Sequence, residues 1–320
     1  MSDFDVFNGD ADGICALIQL RQADPRDAAL ITGVKRDIQL LKQLEDQKVD
    51  RATVLDISLD KNREPLVKVL DQGAEVFYCD HHFAGEIPDN AALDTLINTA
   101  ADVCTSLLVN GRLKGAFAHW AVVGAFGDNL DASAEAVART LDLDEETLDL
   151  YRRLGIYINY NGYGAALEDL HFHPAELYQL MKSFAEPKQF VSGAATSFDK
   201  LEQGYLEDMA NADELKPEWE NGDAAVFILP EAAWARRVSG VYSNALAQGS
   251  PDRAHAVLTK KRTGGFLVSV RAPLADKRDA DTLCRQFETG GGRAAAAGIN
   301  DLPESDLGRF TDALAETYGA

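Results

Sequence analysis

Phe4-Asp5-Val6-Phe7-Asn8-Gly9-Asp10-Ala11-Asp12-Gly13 decides how this chain is read. Its first four residues are a short, mostly apolar segment with the look of a strand, and the next six are turn formers. Ile14 to Gln22 then repeat apolar positions at helical spacing. A strand, a glycine-flanked turn and a helix in that order open an α/β unit. Asp10 and Asp12, two apart in the turn, can aim both carboxylates into one cavity, while Gly9 and Gly13 relieve the backbone. Clustered carboxylates repel one another unless cations hold them, so such a turn is a candidate metal site.

The pattern repeats outward from this stretch. Ala28 to Thr32 reads as a second strand and Ile38 to Lys48 as a second helix. Ala52 to Leu55 is a buried-looking strand that stops at Asp56, and Leu66 to Gln72 is helical. Ala74 to Tyr78 is again a strand, stopping at Cys79-Asp80-His81-His82. The alternation predicts a parallel sheet covered by helices. Three strands thus end in an acidic or histidine-containing turn, and in open parallel sheets ligand sites form at the carboxyl ends of strands. Residues 115–168 read as mostly helical, with Ala118 to Phe126 leading into Gly127-Asp128 as a fourth acidic point.

The expected fold class is α/β in two domains. A parallel-sheet domain with a helical extension covers residues 1–185, and a linker rich in Pro, Gly and charge covers 186–222. A smaller α/β domain covers 223–320, with the active site in the cleft between the two. In the second domain, strands are predicted at Ala225 to Leu229, Ala254 to Thr259 and Gly265 to Val270, with a helix near Val241 to Ala247. Gly290-Gly291-Gly292-Arg293 reads as a glycine-rich loop before the alanine run.

Composition narrows the function. With 320 residues, 46% hydrophobic and 26% charged, the chain suits two soluble domains. Its N-terminus lacks the basic and apolar regions of a signal peptide, and no apolar run approaches the roughly 18 residues that cross a bilayer. The expectation is a cytoplasmic protein that does not engage membranes. Cys15, Cys79, Cys104 and Cys284 are far apart, which fits buried thiols rather than a zinc site or disulfides. A net charge of −21 is the wrong balance for a surface that tracks the phosphates of duplex DNA. A polyanionic substrate must therefore be met by locally concentrated positive charge.

Taken in order, these residues resemble the DHH family of phosphoesterases. Asp10 and Asp12 match its first motif, Asp56 the second, Asp80-His81-His82 the third and Asp128 the fourth. Ser269-Val270-Arg271 resembles the family's strand with a substrate-binding arginine. Gly290 to Gly298 resembles the glycine-rich signature of the DHH-associated C-terminal domain, DHHA1. The resemblance implies two Mn²⁺ or Mg²⁺ ions per chain, held by Asp10, Asp12, Asp56, His81 and Asp128, with Asp56 bridging. It implies that His82 touches the substrate phosphate and that Asp80 orients the histidine pair. Catalysis would be two-metal hydroxide attack, involving His82, Asp80 and Asp56. Arg271, Gly291, Gly292 and Arg293 would bind the substrate. Two positions depart from the family pattern. Val6 stands where many members have an early histidine ligand, and Arg293 stands where the glycine motif usually continues with histidine.

Other residues carry less. Asn159 to Gly164 reads as a turn between helices, His171 and His173 as surface or linker residues, and His119 as a packed histidine. Lys260-Lys261-Arg262 is a short basic run that fits a solvated turn as well as a substrate contact.

The leading expectation is hydrolysis of phosphodiester or phosphomonoester bonds in small nucleotides: short single-stranded oligonucleotides or 3′-phosphoadenosine 5′-phosphate. A single-strand exonuclease like RecJ, a pyrophosphatase or exopolyphosphatase, and a non-catalytic nucleotide-binding module are the alternatives. A homodimer is compatible with the sequence.

Overall fold

Five short, mostly buried segments pair as parallel strands in the N-terminal half of the chain, in the order β2-β1-β3-β4-β5. In the computed structural model, which describes residues 2–319, they are interleaved with helices. The succession is β1 (Asp3–Phe7), α1 (Ala11–Ala23), β2 (Ala29–Ile31), β3 (Arg51–Leu55), α2 (Leu59–Asp71), β4 (Glu75–Asp80) and β5 (Leu93–Ile97). Val6 pairs with Ile31 on one side and Val54 on the other, and Val54 pairs with Tyr78, so the strands run in register to a common end.

One face of the sheet buries Val6, Val54, Val76 and Tyr78 against Leu40, Leu41 and Leu44 and against Leu66, Val69 and Leu70 of α2. Each such side chain contributes about 1.5–3 kcal/mol when fully buried. The other face is covered by α1, whose residues Ala11 to Gln19 are all buried. This helix lies under α3 (Thr105–Arg112), α4 (Ala118–Gly127) and α6 (Glu145–Gly162), which explains why it shows no polar stripe. α5 (Asp131–Ala138), α7 (Pro174–Met181), α8 (Pro187–Gly193) and α9 (Ala195–Asp213) complete the helical part. Beneath α1, Arg21 pairs with Asp5 and donates to Thr53 Oγ1 at 2.8 Å, which satisfies a carboxylate that is 2% exposed.

Several expectations change. The predicted helix from Ile38 to Lys48 is only a 3₁₀ turn at Leu40–Leu44. Asn62 of α2 takes its place as partner: its Oδ1 accepts from Leu41 N at 3.2 Å and its Nδ2 donates to Ile38 O at 2.6 Å. With those groups satisfied from outside, no longer ladder is needed. Asn159 to Gly162 end α6 instead of forming a connecting turn. Strand β5, with its mixed Leu-Asp-Thr-Leu-Ile pattern, had no counterpart in the sequence reading.

The chain divides into two compact units after Gln203, within α9. Most of the 186–222 segment, read as a linker, is helical in α8 and α9. The second unit is a six-stranded sheet in the order β10-β11-β9-β8-β7-β6. It contains β6 (Trp219–Glu220), β7 (Ala224–Leu229), α10 (Ala233–Gly249), β8 (Ala254–Lys260), β9 (Phe266–Arg271), α11 (Ala280–Cys284), β10 (Gly290–Arg293), β11 (Ala296–Leu302) and α12 (Leu307–Tyr318). Only β7 and β8 pair in parallel; the other neighbours are antiparallel. Gly290 to Arg293 is therefore a strand rather than a loop. Its glycines allow close approach: a Cβ on Gly292, whose φ is +143°, would meet Ala297 Cα at 2.5 Å. No helix of the described residues is long and apolar enough to cross a membrane.

Candidate metal centre

The turn after β1 places the first two carboxylates. Asp10 caps α1, its Oδ1 accepting from Gly13 N at 3.1 Å. Gly9 and Gly13 are needed for proximity rather than for unusual φ. A Cβ on Gly9 would lie 2.0 Å from Gly33 O, and one on Gly13 would lie 2.4 Å from Asn8 O. Asp12, 1% exposed, sits in the first turn of α1 and points at the start of α3. Its Oδ2 accepts from Thr105 N and its Oδ1 from Ser106 N, both at 2.7 Å. The first amides of a helix are unsatisfied within it and carry partial positive charge, so they fix this carboxylate in place.

Asp56 follows β3 with φ of +60°. A left-handed conformation costs a non-glycine residue little when it is Asp, and such strain tends to persist where the surroundings over-determine it. Asp56 N donates to Cys79 O at 3.0 Å, and Asp56 Oδ1 accepts from Thr105 Oγ1 at 3.1 Å. After β4, His81 Nδ1 lies 3.0 Å from Val103 O, a contact that requires the proton on Nδ1. The other nitrogen, Nε2, then faces Asp56 Oδ1 at 3.4 Å, Asp128 Oδ2 at 3.8 Å and Asp12 Oδ2 at 4.0 Å. Asp128 enters from the C-terminus of α4. His82 donates from Nδ1 to Asp80 Oδ1 at 2.7 Å, and Asp80 is fully buried.

The structure thus brings Asp10, Asp12, Asp56, Asp80, His81, His82 and Asp128 together at the ends of β1, β3, β4 and α4. Burial and the neighbouring Asp10, Asp12, Asp128 and Asp80 push the Asp56 carboxyl well above the usual range. Burial, with Asp12 and Asp10 nearby, raises Asp128 to about 6 against the pull of Lys35 and His81. Burial also opposes ionisation of Asp10, but Lys35 beside it and its hydrogen bonds outweigh that and hold it below the usual range. For His82, burial disfavours the charged ring, yet the bond to Asp80 prevails and raises its pKa.

These residues suit a divalent cation. In a neutral ring with its proton on Nδ1, His81 Nε2 offers a lone pair toward the carboxylate oxygens, an arrangement that a cation between them would resolve. Asp80 Oδ2 and Asn8 Oδ1 are buried acceptors without a hydrogen-bond partner, a further sign of oxygen ligation capacity. Among the described residues, ligand atoms of Asp12, His81 and Asp128 lie within 4.8 Å of one another, as do those of Asp56, His81 and His82. Carboxylates with a single type of nitrogen ligand match Mn²⁺ or Mg²⁺ better than zinc.

Sequence reasoning missed the supporting groups. Lys35 donates from Nζ to Asp10 Oδ2 at 2.6 Å and to Asn159 Oδ1 at 2.9 Å. The strand-end rule applied to β2 would have pointed to it. The role of Thr105 and Ser106 had no signal, because a capping amide is a backbone group. Residues set aside fall elsewhere: His119 Nδ1 lies 2.9 Å from Tyr151 OH, and His173 caps α7 through Ala175 N. Lys261 pairs with Asp301 and Arg262 with Glu231.

The candidate substrate residues belong to the second unit. Arg271 ends β9 and donates to Asn244 Oδ1 at 2.8 Å and to Ser269 Oγ at 2.9 Å. Arg293 ends β10 and is exposed. Both pair with Ala296 of β11 from opposite sides, so they share one register line, with Gly291 and Gly292 just before Arg293.

Comparison with known proteins places the fold. No family model matches the chain, and no curated protein matches it in sequence. Solved structures do. Exonuclease RecJ bound to manganese is 16% identical with a TM-score of 0.63, covering 99% of this chain and 89% of that one. RecJ from Thermus thermophilus in complex with Mn²⁺ is 16% identical with a TM-score of 0.68; the match covers 99% of this chain but 52% of that longer protein. An exopolyphosphatase-related protein from Bacteroides fragilis is 14% identical with a TM-score of 0.51, covering 98% of this chain and 91% of that one. The expected α/β fold is thereby shown: a five-stranded parallel sheet and a second, smaller sheet domain, a fold shared with the RecJ structures.

Proposed function

We propose that this chain is a metal-dependent phosphoester hydrolase of the DHH family. It would use Mn²⁺ or Mg²⁺ to cleave short oligonucleotides or 3′-phosphoadenosine 5′-phosphate. The observation that carries the reading is His81 Nε2 facing Asp12, Asp56 and Asp128 within 4.0 Å. The manganese-bound RecJ structures with the same fold support the choice of ion. Bound divalent cations supply an acidified water and offset charge on phosphoryl oxygens.

The protein's own groups have separable tasks. Val103 O and the α3 amides fix His81 and Asp12 before any cation arrives, so little reorganisation is needed. Asp56, whose carboxyl burial and neighbouring carboxylates push well above the usual range, would hold a cation in competition with a proton. His82, held through Nδ1 by Asp80, presents Nε2 to a phosphoryl oxygen, and its raised pKa keeps the ring positively charged to higher pH. Arg271 and Arg293, on one register line of the second unit, are the proposed phosphate anchors. Arginine suits that task because it binds phosphate in a bidentate manner and does not lose its charge. The net charge of −21 favours small substrates over long strands.

The test is Mn²⁺-dependent hydrolysis by the purified chain, across dinucleotides, 3′-phosphoadenosine 5′-phosphate, pyrophosphate and single-stranded DNA. Turnover is expected on the first two. Absence of turnover on every substrate, with manganese shown to be bound, overturns the proposal in favour of a binding module. Preference for long single strands favours the RecJ-like alternative.

A further inference from the structure

Asp10 is the one expected ligand that belongs to neither cation-sized group. Both its oxygens are engaged, Oδ1 by Gly13 N and Oδ2 by the Lys35 ammonium. Lys35 is itself held from several directions. Its backbone N donates to Gly162 O at 2.8 Å, and its carbonyl accepts from Asn8 Nδ2 at 3.2 Å. Its Nζ bonds Asn159 as well as Asp10, lies 3.9 Å from Asp128 Oδ1, and sits 5.5 Å from the centre of the Tyr163 ring. The ammonium is therefore lodged between two carboxylates of the cluster and faces Oδ1 of Asp128, while His81 faces its Oδ2. Val6, at the position where the resemblance expects a histidine ligand, is buried among Leu40, Leu41 and Leu44 and offers no ligand atom. The Asp10 end of the cluster thus carries an ammonium, and Val6 supplies no ligand to compete with it.

We propose that Lys35 is a resident cation: its ammonium offsets the charge of Asp10 in place of one divalent ion. The chain then holds one divalent ion tightly among Asp12, Asp56, His81 and Asp128, and a second only by displacing Lys35. The inference rests on the metal-dependent reading above. A fixed ammonium has the charge to keep Asp10 ionised and in place, but it has no open coordination position. It also repels a second dication arriving at Asp10. Lys35 is a positioning residue that acts through Asp10.

The experiment is a Mn²⁺ titration of chelator-stripped full-length protein, with free Mn²⁺ read by electron paramagnetic resonance and bound metal checked by elemental analysis. The wild type is expected to bind one equivalent tightly, with any second at least tenfold weaker. Lys35→Gln keeps hydrogen-bonding capacity but removes the charge, and should bring the second equivalent to within tenfold of the first. Lys35→Arg should keep the single tight site. Two tight equivalents in the wild type overturn the inference and leave the proposed function standing, a result that needs no variant to fold. An unchanged single site in Lys35→Gln that melts like wild type also overturns it. No bound manganese in the wild type overturns the metal-dependent reading itself.

Discussion

His82 donates through Nδ1 to Oδ1 of Asp80 at 2.7 Å, and Asp80 is the last residue of β4 and wholly buried. This carboxylate sets both the tautomer and the charge of the imidazole. Asp80→Asn keeps the shape but removes the charge, so it should lower kcat by about 10- to 100-fold, the usual cost of losing such an orienting partner. The His82 pKa is raised in the wild type, so the charged ring persists as pH rises and is lost only above its ordinary value. The alkaline limb of the activity profile should accordingly move to lower pH in Asp80→Asn. A fall in rate with an unmoved limb would show that Asp80 serves only to hold the strand end.

His81 lies in both cation-sized groups. His81→Ala should lower bound metal and phosphate release together, measured on the same preparation by elemental analysis and a product assay. Full metal content with lost activity would assign His81 to the substrate instead.

Protons compete with metal at this centre. Burial and nearby carboxylates raise Asp128 to about 6 and push Asp56 well above the usual range, so both give up their protons less readily than an ordinary carboxyl. A cation needs them ionised, and affinity therefore falls as pH drops through 6, by about tenfold per pH unit for each proton displaced. Calorimetric titration of Mn²⁺ at pH 5.5, 6.5 and 7.5 checks this. Flat affinity over that range would contradict it.

Away from the centre, Arg21 meets Asp5 and Thr53 beneath the sheet. Arg21→Met would leave a buried carboxylate unpaired, which typically costs about 3–5 kcal/mol. A large drop in Tm is expected for the metal-free protein, measured by calorimetry. A shift within a degree or two would mean that water replaces the guanidinium.

Legibility in the sequence followed how local the cause was. Strands β1, β3 and β4 announced themselves because each is an apolar run cut off by an acid or histidine, and the same punctuation located Asp10, Asp12, Asp56 and the Asp80-His81-His82 turn. The reading failed where a distant partner decides. Ile38 to Lys48 has helical spacing, yet Asn62 from α2 satisfies its backbone and leaves a single turn. Lys35 was not singled out, because its role depends on Asn159, which lies far along the chain. Strand β10 was hidden by glycine, whose low strand preference is overridden by close packing on β11.

The α3 amides that grip Asp12 have one more consequence. Helix α3 belongs to a segment that enters only after the sheet is complete, whereas Asp12 belongs to the first turn of the chain's first helix. An ion seated on Asp12, Asp56, His81 and Asp128 would act as a rivet through the first helix, the ends of the third and fourth strands and the end of the fourth helix. Loosening any one of those elements would release it, so a bound ion is expected to raise the Tm of the N-terminal unit above that of the folded metal-free protein.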